Sequence, residues 1–498
     1  MSLEPLYDLL VVGGGINGAG VARDAAGRGL SVLLCEQDDL AGHTSSASTK
    51  LIHGGLRYLE YFEFTLVRKA LAERETLLES APHIMWPLQF VLPHDSHLRP
   101  AWMIRLGLLL YDHLAPRRSL ARSRSVNLRR HPAGAPLQSR FRRGFIYADG
   151  WVDDARLVVL NAVAAQEAGA RIETRTKCVS LERLADEWMA TLQRGDGTKE
   201  RIRARAVVNA TGPWASVFRD KAAGIRGARG LRLIKGSHIV VPALYDTQYA
   251  YIFQTPDRRI VFAIPYEQRF TLIGTTDVEF PDPPAAVTAS ESEIEYLCAA
   301  ATRYFHHPVR RVDVAWSFAG LRPLQKEKKE DPAGVTRDYE LEIDRRDPPL
   351  LSVIGGKITT YRRLAEEAVD RITALLGKPA PAWTAGAPLP GGEMPGGDFD
   401  AYLAQLIRDR QWADPQMLRR MARAYGARVE RILADAGSMA SLGQEILPGL
   451  HERELKYLID AEWAQTAEDV LWRRSKLGLH LPPGSESQLD HWITVNRG

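Results

Sequence analysis

The chain has 498 residues, too many for one compact hydrophobic core, so we expect two or three domains. Its 65 Lys and Arg residues stand against 61 Asp and Glu residues, and the net charge of +4 excludes a protein whose whole surface is basic. Any affinity for an acidic partner must therefore come from a local cluster of charge.

The cysteines and the N-terminus indicate a reducing compartment. Cys35, Cys178 and Cys298 are few, odd in number and outside any CxxC pair or His-rich setting. They argue against a disulfide framework and indicate no metal site. The first apolar run follows Pro5 with no basic segment before it, so we expect a chain that is not exported and faces the cytosol.

The first predicted strand ends in a glycine-rich turn that suits a dinucleotide. Residues 9–12 are apolar, and Gly13-x-Gly15-x-x-Gly18 then leads into a helix that begins near Asn17. Gly13 permits the tight turn, Gly15 lets backbone N–H groups approach a pyrophosphate, and Gly18 lets helix and strand pack closely. The positive end of the helix dipole faces the phosphate charge.

A second predicted strand, 30–35, is followed directly by Glu36, about twenty residues after the turn. In dinucleotide sites an acid at this position meets a ribose hydroxyl. The next segment, 41–58, is rich in glycine and in small hydroxyl residues that can donate to a nearby ligand. A flexible linker is the alternative interpretation. A simple spacer does not need reactive or charged side chains, and this segment holds four such residues, namely Lys50, His53, Arg57 and Tyr58.

Residues 63–80 have apolar positions at helical spacing, and 86–93 has the pattern of a strand. The apolar run at 100–114 is too short to span a bilayer, and it has Trp102 and Tyr111 near its ends. An arginine-rich stretch without acidic residues follows, with Arg117, Arg118, Arg122, Arg124, Arg129, Arg130, Arg140, Arg142 and Arg143. The stretch is typical of a solvated loop or of a membrane-surface patch, and both remain open.

The middle of the chain adds a second glycine turn and a second type of sheet. A buried strand at 206–209 ends in the turn 210–214, as a sheet wrapped around one nucleotide requires. Period-two patterns at 237–241, 260–264 and 270–273 predict antiparallel strands of another domain.

That second domain should end at a turn near 316–323. A strand at 351–354, a turn at 355–360 and a helix at 361–376 then return the chain to the nucleotide domain. The Gly- and Pro-rich segment 388–397 marks a linker to about a hundred helical residues, in which Asp414-Pro415 begins one helix and Thr466-x-x-Asp469 another.

Four of these stretches together resemble the FAD-binding fold of glycine-oxidase-like flavoproteins: the Gly13 turn, 44–50, 210–212 and 355–357. A closer resemblance is to the bacterial aerobic FAD-dependent sn-glycerol-3-phosphate dehydrogenases. It rests on GGGINGAG, TSSASTKLIHGGLRYLE, WVDDARL, NATGPW, RLIKGSHIVVP, IGTTDVEF and GGKITTYRRLAE, and on LHERELKYLIDAEWAQTAEDVLWRRSKLG in the C-terminal part.

The resemblance implies an α/β fold with a Rossmann-like FAD-binding domain of the glycine-oxidase/glutathione-reductase type, an interleaved β-rich substrate domain and a C-terminal α-helical cap. We expect the FAD-binding domain at 1–83, 146–224 and 316–387. The substrate domain, with a membrane-facing segment, should occupy 84–145 and 225–315, and the helical domain 388–498.

The implied cofactor is noncovalent FAD. The resemblance assigns to it Gly13, Gly15, Ile16, Asn17, Gly18, Glu36, Thr44, Ser45, Ser46, Ser48, Lys50, His53, Gly54, Val179, Ala210, Thr211, Gly212, Trp214, Gly356, Lys357, Ile358 and Thr359.

For the substrate, sn-glycerol 3-phosphate, the resemblance implies contacts from Arg57, Tyr58, Arg322 and Lys357, with His238 beside them; His238, Arg322 and Lys357 form the catalytic set. Guanidinium groups suit a phosphomonoester dianion because they bind two of its oxygens at once. The C2 hydroxyl must lose a proton when its hydride goes to flavin N5. His238 suits that role by its ordinary pKa, with His53 or water as alternatives.

The resemblance further implies a ubiquinone or other membrane quinone as electron acceptor and a peripheral place on the cytoplasmic face of the inner membrane, where the surface meets anionic lipid. We also expect a homodimer. Alternatives are a glycerol-3-phosphate oxidase that uses oxygen and an amino-acid or amine oxidase of the same fold. A nucleic-acid partner is disfavoured because the arginine-rich stretch lacks interleaved aromatic residues.

Overall fold

The structure is a computed structural model that describes residues 4–225, 231–325 and 339–496. Its strands are β1 (Leu6–Val12), β2 (Val32–Cys35), β3 (Leu51–Ile52), β4 (Met85–Pro93), β5 (Arg124–Asn127), β6 (Arg143–Val152), β7 (Arg171–Glu173), β8 (Thr176–Arg183), β9 (Trp188–Arg194), β10 (Lys199–Asn209), β11 (Leu231–Pro242), β12 (Ala250–Gln254), β13 (Ile260–Tyr266), β14 (Phe270–Gly274), β15 (Val278–Phe280), β16 (Trp316–Gln325), β17 (Glu340–Asp344), β18 (Leu350–Ile354), β19 (Glu445–Leu447) and β20 (Leu450–His451).

The helices are α1 (Ile16–Gly27), α2 (Phe64–Ser80), α3 (Ala101–His113), α4 (Asp154–Glu167), α5 (Ala215–Lys221), α6 (Glu291–Tyr304), α7 (Tyr361–Leu375), α8 (Phe399–Asp409), α9 (Pro415–Tyr425), α10 (Val429–Leu433), α11 (Glu452–Glu462) and α12 (Ser485–Asn496). No helix within residues 4–225, 231–325 and 339–496 has the length and apolar character needed to cross a bilayer.

The first sheet has the strand order β17-β18-β10-β1-β2-β7, and the hairpin β8–β9 extends it from β10. Strands β18, β10, β1, β2 and β7 run parallel, so their carboxyl ends meet at one edge. Helices α1, α4 and α7 pack against this sheet through one apolar core. The edge at the carboxyl ends is where ligands bind in such sheets.

The second sheet has the order β15-β11-β14-β13-β12-β4-β6-β3, with β16 paired to β11 and β5 paired to β6. Helix α6 covers one face, and α2 and α3 cover the other. The predicted antiparallel arrangement of β11, β13 and β14 is confirmed. The C-terminal helices α8 to α12 build a core of their own, and Asp414 caps α9 by accepting a hydrogen bond from Met417 N at 2.9 Å.

The strand pairing differs from the predicted domain ranges at three places. Strands β3, β6 and β16 belong to the second sheet, although the predicted ranges place them with the nucleotide domain. For β16 the cause is Gly320, which the sequence suggests is a turn but which pairs with Gly236 inside the β11–β16 ladder. Parts of the predicted domains at 226–230 and 326–338 lie outside the described residues.

One helix of the C-terminal part begins where the sequence predicts it. Thr466 accepts a hydrogen bond from Asp469 N at 3.3 Å, as a helix start would. The helix runs from Ala467 and continues as a π-helix over Asp469–Arg474.

Candidate active site

A cavity of about 740 Å³ begins at the carboxyl edge of the first sheet and continues across the second sheet. Its volume lies in the range of small-molecule and cofactor sites. Its wall includes these predicted site residues: Gly13, Gly15, Ile16, Asn17, Glu36, Thr44, Ser45, Ser48, His53, Arg57, Tyr58, Val179, Ala210, Thr211, Gly212, Trp214, His238, Arg322, Gly356, Lys357, Ile358 and Thr359. As far as the described residues define this wall, Gly18, Ser46, Lys50 and Gly54 lie outside it.

The glycine turn after β1 leaves no room for side chains. Gly13 has φ +112°, and a Cβ there would lie 2.6 Å from the Ala210 carbonyl oxygen. A Cβ on Gly18 would lie 1.9 Å from the Gly13 carbonyl oxygen, so Gly18 supports the turn from behind the wall. Gly15 is the N-cap of α1, whose first turn holds no acidic residue. A positive helix end therefore borders the cavity, as pyrophosphate binding requires.

The polar groups around this turn also fit FAD. Glu36, directly after β2, accepts hydrogen bonds from Gly14 N at 2.6 Å and from Asp38 N at 2.9 Å, which fixes its carboxylate on the wall where a ribose would lie. Asn17 donates to the Gly355 carbonyl oxygen at 3.2 Å. Its own Oδ1 is buried without a hydrogen-bond partner among the described residues, so an acceptor remains for a ligand.

Lys50 has a structural place behind the wall. Its ammonium group binds Asp154 Oδ1 at 2.6 Å, with both side chains buried, and donates to the Ser46 carbonyl oxygen at 3.0 Å. Ser48 donates to the other oxygen of Asp154 at 2.7 Å. Asp154 thus holds the residues on either side of Thr49 and fixes the segment that faces His238.

His238 projects from β11 into the cavity and is almost fully buried. Its ring stacks on Phe318 of β16 with centroids 4.9 Å apart, and Nε2 lies 3.0 Å from Thr49 Oγ1. A Cβ on Gly274, the paired residue of β14, would lie 2.0 Å from Cδ2 of the ring. Burial, with the charges of Arg322 and Lys50, holds the His238 pKa well below its ordinary value. The imidazole is therefore neutral near pH 7 and has a lone pair for a proton, but it is a weaker base than the ordinary pKa expected from the sequence would make it.

Arg322 lies on β16 and not on the loop that the sequence suggests. Its guanidinium crosses over Gly236, where a Cβ would lie 2.2 Å from Nη2. Asp277 pairs with Nη1, and Nη2 donates to Thr275 Oγ1 at 3.0 Å. These contacts aim the planar group at the cavity.

Arg57, Tyr58 and Lys357 border the same cavity from two other segments. Arg57 and Tyr58 lie in the short 3-10 helix Leu56–Tyr61, which begins after Gly55 with φ +76°. Lys357 follows two glycines with positive φ and places Nζ 3.9 Å from the centre of the Tyr58 ring. Three cationic side chains from separate segments thus line the same cavity.

Four further residues of this region were not predicted from the sequence. Thr49 contacts His238, Phe318 stacks on it, and Thr275 and Asp277 hold Arg322. Thr49 lies within the hydroxyl-rich segment, and Thr275 and Asp277 lie within IGTTDVEF. The sequence therefore indicates both stretches but not the roles of these three residues. The register of β11 with β14 and β16 brings His238 beside Phe318 and Gly274, and the loop that carries Thr49 then reaches the imidazole.

The fold and the cavity define a flavin-dependent oxidoreductase. Residues 8–362 match the family of FAD dependent oxidoreductases, and residues 382–493 match the C-terminal domain of alpha-glycerophosphate oxidase. The chain belongs to the FAD dependent oxidoreductase family, and FAD as cofactor is confirmed.

Proteins of known name that are similar to this chain include dehydrogenases of polyol phosphates. The chain is 54% identical to glycerol-3-phosphate dehydrogenase of Pseudomonas aeruginosa over 99% of this chain and 96% of the relative. It is 48% identical to D-erythritol 1-phosphate dehydrogenase of Brucella abortus over 98% and 97%. The FAD-complexed glycerol-3-phosphate dehydrogenase from Bacillus halodurans superposes with a TM-score of 0.77 at 28% identity, covering 98% and 94%. The sequence resemblance to bacterial glycerol-3-phosphate dehydrogenases and the expected fold class are confirmed.

Proposed function

We propose that the protein oxidises the secondary alcohol of sn-glycerol 3-phosphate to the ketone of dihydroxyacetone phosphate. The observation that carries this proposal is one cavity that joins a glycine cradle to a neutral histidine and three cations. FAD, when bound, supplies the acceptor for the hydride from C2. Gly13, Gly15 and Glu36 are the residues we expect to hold it.

The side chains divide the remaining work. Arg57, Arg322 and Lys357 bind the phosphate, whose two negative charges suit guanidinium and ammonium groups. His238 takes the proton from the C2 hydroxyl as the carbon–hydrogen bond breaks. Thr49 holds the imidazole, so the ring faces the substrate in a fixed orientation.

A longer polyol phosphate is a second candidate substrate. The relative from Brucella abortus carries the name D-erythritol 1-phosphate dehydrogenase at nearly the same similarity. The phosphate and the secondary alcohol are common to both compounds, so the cationic residues and His238 would serve either. The length of the carbon chain is the property that a test must vary.

The test is anaerobic reduction of the bound flavin, followed by its absorbance. We expect sn-glycerol 3-phosphate to bleach the flavin at a higher kcat/KM than D-erythritol 1-phosphate. Glycerol should react at least about 10³-fold less efficiently because it lacks the phosphate. Equal efficiency with glycerol would contradict the phosphate site, and a preference for erythritol phosphate would assign the second candidate.

We further propose that the protein lies on the cytoplasmic face of the inner membrane and passes electrons to a quinone. The support is a set of exposed apolar side chains on α3 and directly after the 3-10 helix Leu56–Tyr61, with Trp102 66%, Leu106 57% and Phe62 78% exposed. Exposed apolar patches of this kind, beside exposed arginines such as Arg122 and Arg124, are typical of membrane-surface attachment.

The structure corrects two details of the predicted membrane segment. Leu108 is fully buried, and Tyr111 is buried with its hydroxyl donating to Asp149 at 2.9 Å. Both belong to the core beneath α3 because the helix turns one face inward. Leu109 and Leu110 stay on the exposed face, at 45% and 40%.

Sedimentation with vesicles that contain anionic lipid tests the attachment. Leu109→Ser with Leu110→Ser should make the bound protein extractable by high salt, whereas wild-type protein should need detergent. Leu184→Ser, which changes an exposed leucine on another surface, is the matched control. Wild-type protein that stays in the supernatant at low salt would contradict attachment.

The electron acceptor and the oligomeric state need separate measurements. Reduction of a soluble ubiquinone analogue should exceed oxygen uptake by the same preparation, and the reverse result would favour a glycerol-3-phosphate oxidase. Light scattering of detergent-solubilised protein tests the proposed homodimer.

A further inference from the structure

We propose that Glu293, which lies outside the cavity wall, is a positioning residue for both Arg322 and His238. The inference rests on the proposed function and names a residue that sets its phosphate and proton sites. Glu293 lies in the first turn of α6, on the far side of the second sheet, and is 5% exposed. The steps of the reaction described above do not use this buried carboxylate.

Each oxygen of Glu293 has its own partners. Oε1 accepts hydrogen bonds from Thr276 Oγ1 at 2.7 Å and from Ser237 Oγ at 2.8 Å. Oε2 accepts from Ser290 N at 3.0 Å and pairs with Lys235 Nζ at 2.6 Å. Burial alone would raise the pKa of Glu293, but the hydrogen bonds from Lys235, Ser290 and Thr276 lower it to about 2. The carboxylate is therefore ionised throughout the physiological range.

The first arm runs through Thr276 to Arg322. Thr276 Oγ1 donates to Glu293 and accepts from Ser237 N at 2.9 Å, so its side chain is fixed from two directions. Its neighbours Thr275 and Asp277 are the residues that hold the guanidinium of Arg322. Glu293 thus fixes the segment that orients the phosphate-binding arginine.

The second arm runs through Ser237 to His238. Successive side chains of a strand point to opposite faces, so His238 faces the cavity while Ser237 faces α6. Ser237 is fully buried and donates to Glu293 at 2.8 Å. This bond anchors β11 at the position from which the imidazole projects.

The charge of Glu293 is balanced where it stands. Lys235 pairs with it, and Ser290 forms a capping box with it at the start of α6. A negative charge behind a phosphate site would otherwise repel the substrate. Loss of the carboxylate should therefore act through geometry and not through relief of repulsion.

The test compares Glu293→Ala with Glu293→Gln in FAD-loaded protein. Glu293→Ala should raise the KM for sn-glycerol 3-phosphate and the inhibition constant of inorganic phosphate by roughly 10–100-fold, as expected for two lost hydrogen bonds. Glu293→Gln should recover only part of this loss, because its amide oxygen can still accept from Thr276 and Ser237 while its NH2 group faces the donors Lys235 Nζ and Ser290 N. FAD content should equal that of the wild type.

Glu291→Ala is the matched control, since Glu291 lies on the same helix, is exposed and pairs with Arg311. It should change KM less than about twofold. A Glu293→Ala protein with a lower melting temperature but an unchanged KM and phosphate affinity would overturn the proposal, because the role would then be structural only.

Two further measurements keep the outcome decisive. If Glu293→Ala fails to fold, Thr276→Val removes the first arm and should raise the dissociation constant of inorganic phosphate by a similar factor; an unchanged constant overturns the proposal. Phosphate binding, followed by the flavin spectrum, needs no turnover. A wild-type protein that binds phosphate but is not reduced by sn-glycerol 3-phosphate would refute the proposed function and leave the test of Glu293 valid.

Discussion

The two ends of the cavity are built by different means. At the nucleotide end the wall includes a turn of the backbone, shaped by glycines that leave no room for a Cβ, as at Gly13. At the substrate end the groups that we expect to act on the substrate are side chains held by partners, as Arg322 is by Asp277 and His238 by Thr49. Cofactor binding and substrate oxidation should therefore fail separately when single residues change.

The largest expected effect is at the nucleotide end. Gly18→Ala would place a Cβ 1.9 Å from the Gly13 carbonyl oxygen, so the turn must move and FAD should be lost. We expect colourless protein after purification. Gly386→Ala, with no atom within 4 Å of the added Cβ, is the control and should stay yellow. A yellow Gly18→Ala protein with normal FAD content would break the distinction between the two ends.

The next effect is at the phosphate. Arg322→Ala should lower kcat/KM by roughly 10²–10⁴ with FAD retained, because charge-assisted hydrogen bonds worth about 3–6 kcal/mol are lost. Arg322→Lys should recover only part, since an ammonium lacks the planar fork. Steady-state kinetics measure both. Arg232→Ala is the control and should stay near wild type, because it removes an arginine of β11 that pairs with Glu279 of β15.

The two ends of the cavity differ in how far the sequence predicts them. The nucleotide end was predictable because its glycine spacing and Glu36 are local in the chain. The substrate end needed the resemblance, since His238 and Arg322 meet only through the register of β11 and β16. The sequence could not show that Gly320 continues a strand, or that Leu108 and Tyr111 face the core. The strand at Gly320 depends on its pairing with β11, and the burial of Leu108 and Tyr111 depends on which face of α3 packs against the sheet.

Proton transfer should give the third effect. His238→Gln should lower the limiting rate of flavin reduction by about 10²–10³. A lowered pKa means that His238 stays neutral to a more acidic pH than a free histidine does. The wild-type rate at saturating substrate should therefore show no fall between about pH 8 and about pH 6.5. If His53→Gln slows the reaction more than His238→Gln does, the base is His53.

The smallest effect concerns the orientation of the imidazole. Thr49→Val keeps the shape but removes the hydroxyl that lies 3.0 Å from His238 Nε2. We expect roughly a 10-fold slower flavin reduction with little change in KM. Thr49→Ser should restore the rate, because it restores the hydroxyl. A change in KM alone would show that Thr49 contacts the substrate instead of the base.

The separation of cofactor binding from substrate oxidation is tested most directly by an anaerobic single turnover of wild-type and Arg322→Ala proteins in parallel. Each protein is mixed with sn-glycerol 3-phosphate and then with dithionite. We expect full FAD content in both proteins and full reduction of both by dithionite. Only the wild type should be reduced rapidly by the substrate. Loss of FAD from Arg322→Ala, or its reduction by substrate at the wild-type rate, would contradict the division of the cavity into two separable ends.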